Sequence, residues 1–467
     1  MTFFDALALH GDAPAVISDQ DAVVTYAELA RAADAVGAHL VGRPLVFVVC
    51  ENSAASISGY LACLRARAVP LLLGRSITPE SLASLTALYR PEYLWLPTDH
   101  AARATAGDDV YRDGSYALVR TGATGGAPLH DELAMLLTTS GTTGSPMLVR
   151  LSRENITSNA AAIASYLGIT DGERPITTLP MHYTYGLSII NSHLLRGSAI
   201  LATDRAVIDR GFWQMLSRHG ATSLGGVPYT YEKHKRLGFA KMELPTLRTI
   251  TQAGGKLSPA LAREFATVCE EKGIRFVVMY GQSEATARMS YLPSERAIDK
   301  AGSIGIAIPE GTFWLEDASG QPVTAADTEG ELVYLGPNVS LGYAGSRADL
   351  AKGDENKGTL RTGDLATRDG DGFYYITGRK KRFLKLFGNR VNLDDVERLL
   401  SDMGHACACA GRDDHLVIYA TGDVDTGALR AAISAQMSIH PSAVTVRTIA
   451  QLPRSESGKL LYSALPQ

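Results

Sequence analysis

Strand-like apolar runs alternate with helical patterns over most of this chain. Residues 44–50 (PLVFVVC) have the unbroken apolar character of a strand buried on both faces, and the next such run, 69–73 (VPLLL), follows a helical pattern over 54–67. Similar apolar runs recur at 221–227, 247–255 and 274–281. Because parallel strands need a long crossover between them, which is usually a helix, this alternation predicts an α/β fold with parallel-rich sheets covered by helices.

The pattern changes after about residue 303. Residues 330–336 (GELVYLG) and 372–378 (GFYYITG) are short strand patterns bounded by glycines, which indicates antiparallel pairing in a β-rich subdomain. A cationic stretch over 378–390 then precedes a helical pattern at 393–400. We therefore predict a large N-terminal domain over residues 1–378 and a small α+β C-terminal domain over 379–467.

Composition narrows the class of protein. The chain has 467 residues, which exceeds the usual size of a domain with a single hydrophobic core. Hydrophobic residues make up 45% and charged residues 20%, with a net charge of −4. No overall basic excess points to nucleic acid or a membrane surface as partner. The first residues lack the basic region of a signal peptide, and no apolar run is long enough to span a bilayer, so we expect a cytoplasmic protein. The five scattered cysteines are typical of structural thiols.

The clearest chemical signal is the segment LLTTSGTTGSPMLVR at 136–150. Its small, hydroxyl-rich core is formed by Thr139, Ser140, Gly141, Thr142, Thr143 and Gly144. Glycines allow close approach of the backbone to an anion, and successive N–H groups with hydroxyls can hold phosphate oxygens. No Gly-Lys-Ser/Thr follows, so this is not a Walker A loop. A flexible polar loop is the alternative.

This loop resembles the signature loop of the adenylate-forming superfamily, which includes acyl-CoA synthetases, adenylation domains and luciferases. Further segments match family motifs in the family's order: TYAELARAADAVG (25–37), LPMHYTYGLS (179–188), AGGKL (253–257), YGQSEAT (280–286), GELVYLGPNVSLGYAG (330–345), RTGDLATRDGDG (361–372), GRKKRFLKLFGNRVNLDDVE (378–397) and PRSESGK (453–459). The resemblance covers nearly the whole chain. It implies an enzyme that uses ATP and Mg²⁺ to convert a carboxylic acid into an acyl-adenylate and pyrophosphate.

One position departs from the family's loop. The residue after the loop proline is usually lysine, a point charge on the departing phosphates, and here it is Met147. Arg150 or Lys256 could replace that charge, or Mg²⁺ could carry more of it. A damaged first half-reaction, or a non-catalytic protein that binds an adenylate, is the alternative.

The resemblance also assigns roles around the nucleotide. Glu284 matches the magnesium-binding glutamate, and a hard carboxylate oxygen suits that ion. Ser283 keeps a hydroxyl where the family has threonine, and Tyr280 lies where a ring stacks on adenine, although core packing is its other reading. Asp364 matches the ribose-binding aspartate and Arg379 the arginine that also reaches the ribose.

Gly255 and Gly281 complete the predicted ATP/AMP set. Lys459 matches the catalytic lysine, whose cation would stabilise charge that accumulates in the transition state. The resemblance further implies that the small C-terminal domain is mobile, with its hinge at Lys381. Its rotation between half-reactions would remove Lys459 and bring in Gly388, which would line a channel for a pantetheine arm.

The segment 179–188 is expected to line the acyl pocket. Amino-acid-activating relatives carry Asp at the position of Thr184, so an α-amino acid is disfavoured and an aryl or short acyl acid is expected. The predicted pocket residues are Tyr183, Thr184, Tyr185, Ser188, Met279, Ala287 and Arg288. Arg288 could receive a second anionic group of the substrate, and an ion pair with a structural carboxylate is the alternative.

The acceptor is less determined by the sequence. Basic residues cluster on the small domain, at Lys380, Lys381, Arg382, Lys385 and Arg390. They could meet the phosphates of coenzyme A (CoA) or the acidic surface of a carrier protein, or simply face solvent. We predict transfer to the phosphopantetheine thiol of a carrier protein, with an acyl-CoA ligase as first alternative. Direct amide, ester or N–N bond formation is a further one.

Overall fold

The protein is described here by a computed structural model. It describes residues 2–105, 107–123, 128–138, 147–380, 382–387, 389–437, 440–455, 458 and 460–466. These residues form two compact units. The first unit comprises the described residues of Met1–Gly141, Ser145–Thr312 and Leu335–Leu360, and the second unit those of Phe313–Tyr334 and Arg361–Gln467.

The described part of the chain contains ten α-helices. They are α1 (Tyr26–Gly37), α2 (Ala54–Arg65), α3 (Pro79–Tyr89), α4 (Arg153–Tyr166), α5 (Thr184–Leu194), α6 (Arg210–Arg218), α7 (Pro228–Arg236), α8 (Pro259–Glu271), α9 (Leu393–Asp402) and α10 (Thr426–Gln436). None of the helices in this part of the chain is long and apolar enough to cross a membrane.

The strands fall into five sheets. The first half of the chain contributes β1 (Pro14–Ser18), β2 (Val23–Thr25), β3 (Leu45–Cys50), β4 (Val69–Gly74), β5 (Tyr93–Pro97), β6 (Asp108–Asp113), β7 (Tyr116–Arg120), β8 (Leu133–Thr138), β9 (Leu148–Ser152), β10 (Pro175–Ile176), β11 (Ile200–Ala202) and β12 (Ser223–Gly226). Next come β13 (Thr249–Gln252), β14 (Arg275–Tyr280), β15 (Ser290–Leu292), β16 (Ile306–Ala307), β17 (Thr312–Glu316), β18 (Gly330–Leu335) and β19 (Gly342–Ala344). The remainder are β20 (Thr359–Arg368), β21 (Tyr374–Arg379), β22 (Phe383–Leu386), β23 (Asn389–Asn392), β24 (Cys407–Arg412), β25 (His415–Thr421) and β26 (Val444–Ile449).

Two large sheets form the first unit. One has the order β16-β15-β14-β13-β12-β10-β11-β1-β2, and its pairs from β14 to β1 are parallel. The other has the order β19-β9-β8-β4-β3-β5-β7-β6, with β8, β4, β3 and β5 parallel. The predicted α/β class with parallel-rich sheets is confirmed.

The local sequence explains why the elements begin where they do. The Thr25 hydroxyl accepts a hydrogen bond from the Glu28 N–H while Glu28 accepts one from the Thr25 N–H, a capping box that starts α1. Ser53 caps α2 in the same position. Strand β3 is buried along its whole length, as an apolar run covered on both faces should be. These caps and runs give the first unit its helix-covered sheets.

The second unit is built from smaller sheets. Strands β17, β18, β20 and β21 form a four-stranded sheet, in which β20 and β21 are antiparallel, as the glycine-bounded patterns indicate. The two-stranded sheet β22-β23 and the three-stranded sheet β24-β25-β26 follow, with α9 and α10. The predicted domain boundary at 378/379 stays a prediction.

Candidate functional site

Several predicted site residues lie outside the described residues. They are Thr139, Ser140, Gly141, Thr142, Thr143, Gly144, Lys381, Gly388 and Lys459. Their roles in phosphate binding, hinge motion, the thiol channel and catalysis stay predictions. The remaining predicted residues can be placed.

The carboxyl ends of β12, β13 and β14 lie side by side at one edge of the nine-stranded sheet. In open α/β sheets this edge is where ligands bind. The turn after β13 is held by Gln252, whose side-chain amide donates to the carbonyl oxygens of Ala253 and Gly255. At Gly254 the backbone has a φ of +79°, and a Cβ there would meet the hydroxyl of Tyr183 at 2.5 Å, so the turn requires glycine. The predicted nucleotide and acyl segments therefore meet at this turn.

The turn after β14 carries the next group of predicted residues. Tyr280 ends β14, half-buried, and its hydroxyl accepts a hydrogen bond of 3.2 Å from the Gln282 side chain. A Cβ on Gly281 would overlap the carbonyl oxygen of Ala287, so the chain can return this closely only with glycine. Ser283 opens the short 3-10 helix Ser283–Ala285, which carries Glu284 at its centre.

Glu284 is held by a side chain that sequence reasoning missed. Its Oε1 accepts a hydrogen bond of 2.7 Å from the hydroxyl of Tyr343 on β19. Burial and the negative charge of Glu284 raise the pKa of Tyr343, so the phenol stays a donor. Tyr343 lies within a family motif, but its separation of 59 positions from Glu284 along the chain hid the contact.

The chemistry of Glu284 fits Mg²⁺. This ion usually takes one or two protein carboxylates and completes its shell with phosphate oxygens and water. Within the described residues no cluster of three or more His, Cys, Asp or Glu could hold a metal by itself. A single carboxylate, with one oxygen oriented by Tyr343, suits an ion that arrives with ATP.

Arg150 does not replace the missing loop lysine. Its side chain is fully buried and donates to the carbonyl oxygens of Leu341 and Tyr343 and to the carboxylate of Glu355. Further bonds reach the carbonyl oxygens of Lys352 and Gly353. The guanidinium joins β9 to the segment around β19 and has no donor left for a phosphate. Lys256, exposed in the turn after β13, remains the candidate from the first unit.

The two predicted ribose residues face each other in the second unit. Asp364 on β20 and Arg379 on β21 are partners in the antiparallel register. The Nε of Arg379 donates to Asp364 Oδ1 at 3.1 Å. Asp364 is only 3% exposed, whereas the Arg379 side chain is 58% exposed. The pairing fixes the carboxylate, while the arginine keeps most of its surface open to a ligand.

The predicted acyl-pocket residues gather around Arg288. Its Nη2 donates to the Ser188 hydroxyl at 2.9 Å and its Nη1 to the sulfur of Met279. The guanidinium lies over the ring of Tyr185, 4.1 Å from the centroid. The hydroxyl of Tyr185 in turn donates a hydrogen bond of 2.8 Å to the carbonyl oxygen of Thr251 on β13. Four of the seven predicted pocket residues are thus in direct contact.

The other three pocket residues border this group. Tyr183 packs edge-on against Tyr185, with ring centroids 6.4 Å apart, and Thr184 is the first residue of α5. Ala287 is buried on the turn that returns against Gly281. Two asparagines missed by sequence reasoning fix the backbone here, since Asn159 and Asn338 both donate to the carbonyl oxygen of Arg288 at 2.9 Å.

The basic cluster of the small domain is partly used inside the second unit. Lys380 pairs with Glu331 at 2.7 Å, and Arg382 pairs with Glu397 at 2.8 Å and with Asp394. Arg382 also stacks over the ring of Tyr462. Of the described side chains in the predicted cluster, Lys385 is the one that is exposed without such a pair. The cluster is therefore a weaker docking surface than its sequence suggests.

These placements agree with a match of the AMP-binding enzyme family to residues 3–344, which covers both large sheets and the β14 turn. The chain belongs to the AMP-binding enzyme family. The predicted ATP-dependent carboxylate ligase is confirmed at the level of this family.

Individual relatives in the family are similar to this chain over most of their length. Feruloyl-CoA synthase of Amycolatopsis sp is 28% identical over 400 residues, which are 82% of this chain and 76% of that protein. The 2-succinylbenzoate–CoA ligase of Bacillus cereus is 28% identical over 439 residues, 90% of this chain and 88% of that protein.

The fold also has a solved counterpart. The structure of O-succinylbenzoate coenzyme A synthetase (MenE) from Bacillus subtilis in complex with AMP superposes with a TM-score of 0.80 at 22% identity. It covers 100% of this chain and 98% of that one. At this identity the likeness establishes the AMP-binding enzyme fold.

Proposed function

We propose that this AMP-binding enzyme activates a small aryl or short acyl acid and transfers it to a phosphopantetheine thiol. In the first step a carboxylate oxygen bonds to the α-phosphorus of ATP, and the bond from that phosphorus to the oxygen bridging to the β-phosphate breaks. Acyl-AMP and pyrophosphate result. In the second step the sulfur bonds to the acyl carbon and the thiol proton is lost to solvent. The bond from the acyl carbon to the phosphate oxygen breaks, and AMP leaves with that oxygen.

The observation that carries the proposal is the pairing of Asp364 with Arg379. These residues were assigned to the ribose separately, from different motifs, and they are direct partners across β20 and β21. An ionised carboxylate has only acceptor sites, which suits two ribose hydroxyls. The Arg379 side chain, which is 58% exposed, adds N–H donors beside this carboxylate.

The first unit supplies the groups for the phosphates and the acid. Glu284, oriented by Tyr343, would hold the Mg²⁺, which when bound offsets negative charge on the phosphates. Tyr280 would stack on adenine from the end of β14. Lys459 would place a cation where charge accumulates on the α-phosphate, and so bind the transition state more tightly than the ground state.

The acid lies in the pocket around Tyr183, Tyr185 and Met279. Thr184 carries no charge to pair with an α-ammonium group, which argues against an α-amino acid. The Tyr185 ring is fixed by the hydrogen bond of its hydroxyl to Thr251 and by the guanidinium of Arg288 over its face. A fixed aromatic ring suits an aryl or short acyl chain.

Free CoA is the acceptor that we favour. The relatives are named as CoA synthases and ligases. CoA carries the same phosphopantetheine thiol as a loaded carrier protein. A carrier protein is the second candidate. Lys385 on β22 and Phe387 directly after it are exposed and favour this candidate, because together they could meet an acidic, partly apolar partner. Rotation at Lys381 of a domain over 379–467, with Gly388 in the thiol channel, completes the proposal.

Thioester formation tests the acceptor. The enzyme, ATP, Mg²⁺ and an acid that it adenylates are mixed with CoA, with a phosphopantetheinylated carrier protein, or with neither, and acyl products are resolved by mass spectrometry. Acyl-CoA formation supports the first candidate, and acylation of the carrier alone supports the second. Acyl-AMP that accumulates with both thiols present would contradict the transfer step.

A further inference from the structure

Arg288 is a cation buried without a counter-ion. It is 2% exposed, and no ion pair among the described residues includes it. Its donors reach a serine hydroxyl and a thioether, both neutral. A buried charge is usually paired with an opposite charge, since removal from water is costly. The first unit pairs its other deeply buried arginines, Arg150 with Glu355 and Arg347 with Glu92.

One donor of Arg288 is unsatisfied. Its Nε is buried and has no hydrogen-bond partner within the described part of the chain. An arginine offers five N–H donors, and each donor that is buried without a hydrogen-bond acceptor costs free energy. The combination of a missing counter-ion and an unsatisfied donor indicates that a ligand completes this environment.

The groups facing Arg288 are neutral near pH 7. Burial raises the pKa of Tyr166 to about 12, and also raises the pKa values of Tyr183 and Tyr185, so all three stay protonated. Burial lowers the pKa of His193 to about 4, so the imidazole is uncharged. The positive charge of the guanidinium is therefore not balanced by any of these neighbours.

A small cavity borders the guanidinium. It is lined by Arg288, His193, Thr251 and apolar side chains including Ile163 and Ile189, and its volume is about 30 Å³. This space holds about two water molecules, which is comparable to the two oxygens of a carboxylate. It lies beside the predicted acyl pocket, because Arg288 also contacts Ser188 and Met279.

The other charged groups on the cavity have partners. Glu173 accepts a hydrogen bond from Thr222, and Arg248 lies 3.6 Å from its carboxylate. Arg275 donates to the carbonyl oxygen of Leu167 and to Thr249. Two guanidiniums and one carboxylate thus line the cavity, and the carboxylate is already matched by Arg248 outside it.

We propose that Arg288 and Ser188 bind a second anionic group of the substrate, so that the acid adenylated by this enzyme is a dianion such as a dicarboxylate. This inference rests on the proposed function and names its substrate class. The distal anion would accept hydrogen bonds from the guanidinium, while the other carboxylate, free of Arg288, reacts with ATP. Charge-assisted bonds of this kind are strong and directional, so they would set specificity.

The first test uses the wild-type enzyme and pairs of acids that differ only in the second charge. Acid-dependent exchange of labelled pyrophosphate into ATP is measured with succinate, glutarate and terephthalate, and with the monomethyl ester of each. We expect kcat/KM for at least one diacid to exceed that for its half-ester by about thirtyfold or more, as loss of a buried charge partner implies. Half-esters that match or exceed their diacids throughout would overturn the inference and leave the proposed function intact.

Two variants assign the effect to one side chain. Arg288→Met keeps the length and apolar volume without the charge, and we expect it to lose most of the preference for the diacid, with kcat/KM for the diacid falling at least about tenfold more than kcat/KM for its half-ester. Arg275→Met is the matched control, because Arg275 lines the same cavity. Loss of the preference in Arg275→Met but not in Arg288→Met would contradict the assignment. Thermal unfolding and ATP binding check that both variants are folded.

Direct binding separates this inference from the proposed function. If no acid supports exchange, the proposed adenylation fails, and isothermal titration of the same acid pairs into the ATP-bound enzyme decides the inference. Diacids that bind wild type and not Arg288→Met would still support an anion site. Diacids that do not bind wild type would overturn it.

Discussion

Glu284 and Tyr343 share a hydrogen bond that shapes the proposed magnesium site. The phenol of Tyr343 donates to Oε1 of Glu284, the carboxylate that would hold Mg²⁺. In Tyr343→Phe the carboxylate is free to rotate and must be ordered on binding. We expect the Mg²⁺ concentration for half-maximal pyrophosphate exchange to rise about threefold to tenfold, the equivalent of about 1 kcal/mol. Calorimetric titration of MgATP should show the same weakening.

Tyr89→Phe is the control for loss of a phenol in this region. The Tyr89 hydroxyl donates to the carbonyl oxygen of Ala344 at 2.9 Å, next to Tyr343, but it does not contact Glu284. Its removal should lower thermal stability and leave the Mg²⁺ dependence unchanged. Equal effects of the two variants on Mg²⁺ would contradict an orienting role for Tyr343.

Asp364 offers a second prediction at the same scale. In Asp364→Asn one acceptor oxygen becomes a donor, so a ribose hydroxyl loses its partner. We expect KM for ATP to rise about tenfold to a hundredfold, because hydrogen bonds to charged groups contribute about 1.5–3 kcal/mol. Steady-state kinetics at saturating acid gives the value.

The variant Glu316→Gln is the control for Asp364→Asn, because it changes a carboxylate to an amide in the same sheet. Glu316 is buried, and it pairs at 3.0 Å with Arg361, whose side chain is 60% exposed, much as Asp364 pairs with Arg379. A purely structural role would make the two variants alike in stability and in KM. We expect Glu316→Gln to leave KM for ATP unchanged.

Helix α7 carries a buried histidine with consequences for stability. His234 is fully buried among Trp213, Tyr231 and Phe239, and neither ring nitrogen has a hydrogen-bond partner in the described part of the chain. Burial lowers its pKa from 6.5 to about 4. Between these values the unfolded chain binds the proton and the native chain does not, so stability falls as the pH falls from 6.5 towards 4.

The variant His234→Leu should remove this part of the pH dependence. Between pH 7 and pH 4.5 it should lose about 2–3 kcal/mol less stability than wild type. Urea unfolding followed by tryptophan fluorescence is suitable, because Trp213 lies against His234. The variant His39→Phe, at a partly exposed ring stacked on Tyr111, serves as control. If His234→Leu lost as much unfolding free energy as wild type between pH 7 and pH 4.5, the prediction would be refuted.

The elements show what sequence patterns can and cannot predict. Strands β3, β4 and β14 were predicted nearly to their ends, because unbroken apolar runs between helices leave few alternatives. The two-residue strand β10 has no such run and exists only because β11 and β12 flank it. Its pairing is set by the tertiary structure.

Motifs marked residues that lie together in the structure, whereas contacts between distant segments were not predictable, and the roles assigned to the marked residues stay predictions. The Asp364–Arg379 pair and the group around Arg288 come from residues that motifs had marked. The burial of Arg150, one of three options for the missing loop charge, was not predictable because it depends on carbonyl groups about 190 to 200 residues away. Tyr343, Asn159 and Asn338 were missed for the same reason, since spacing along the chain does not encode contacts between distant segments.

At the scale of the whole molecule, the proposed reaction draws on both units. Glu284 and Arg288 belong to the first unit, while Asp364 and Arg379 belong to the second. Met147 in place of the loop lysine is the feature that argues against catalysis. Formation of an acyl-adenylate by this chain is therefore the step to test.

Acid-dependent exchange of labelled pyrophosphate into ATP measures that step directly. Wild type and Lys459→Ala are compared over aryl, short aliphatic and amino acids, with ATP binding measured in parallel. We predict exchange with one class of non-amino acid and a loss of at least about a hundredfold in Lys459→Ala, since a transition-state cation is removed. Wild-type protein that binds ATP but shows no exchange with any acid, and gains none in Met147→Lys, would contradict the account.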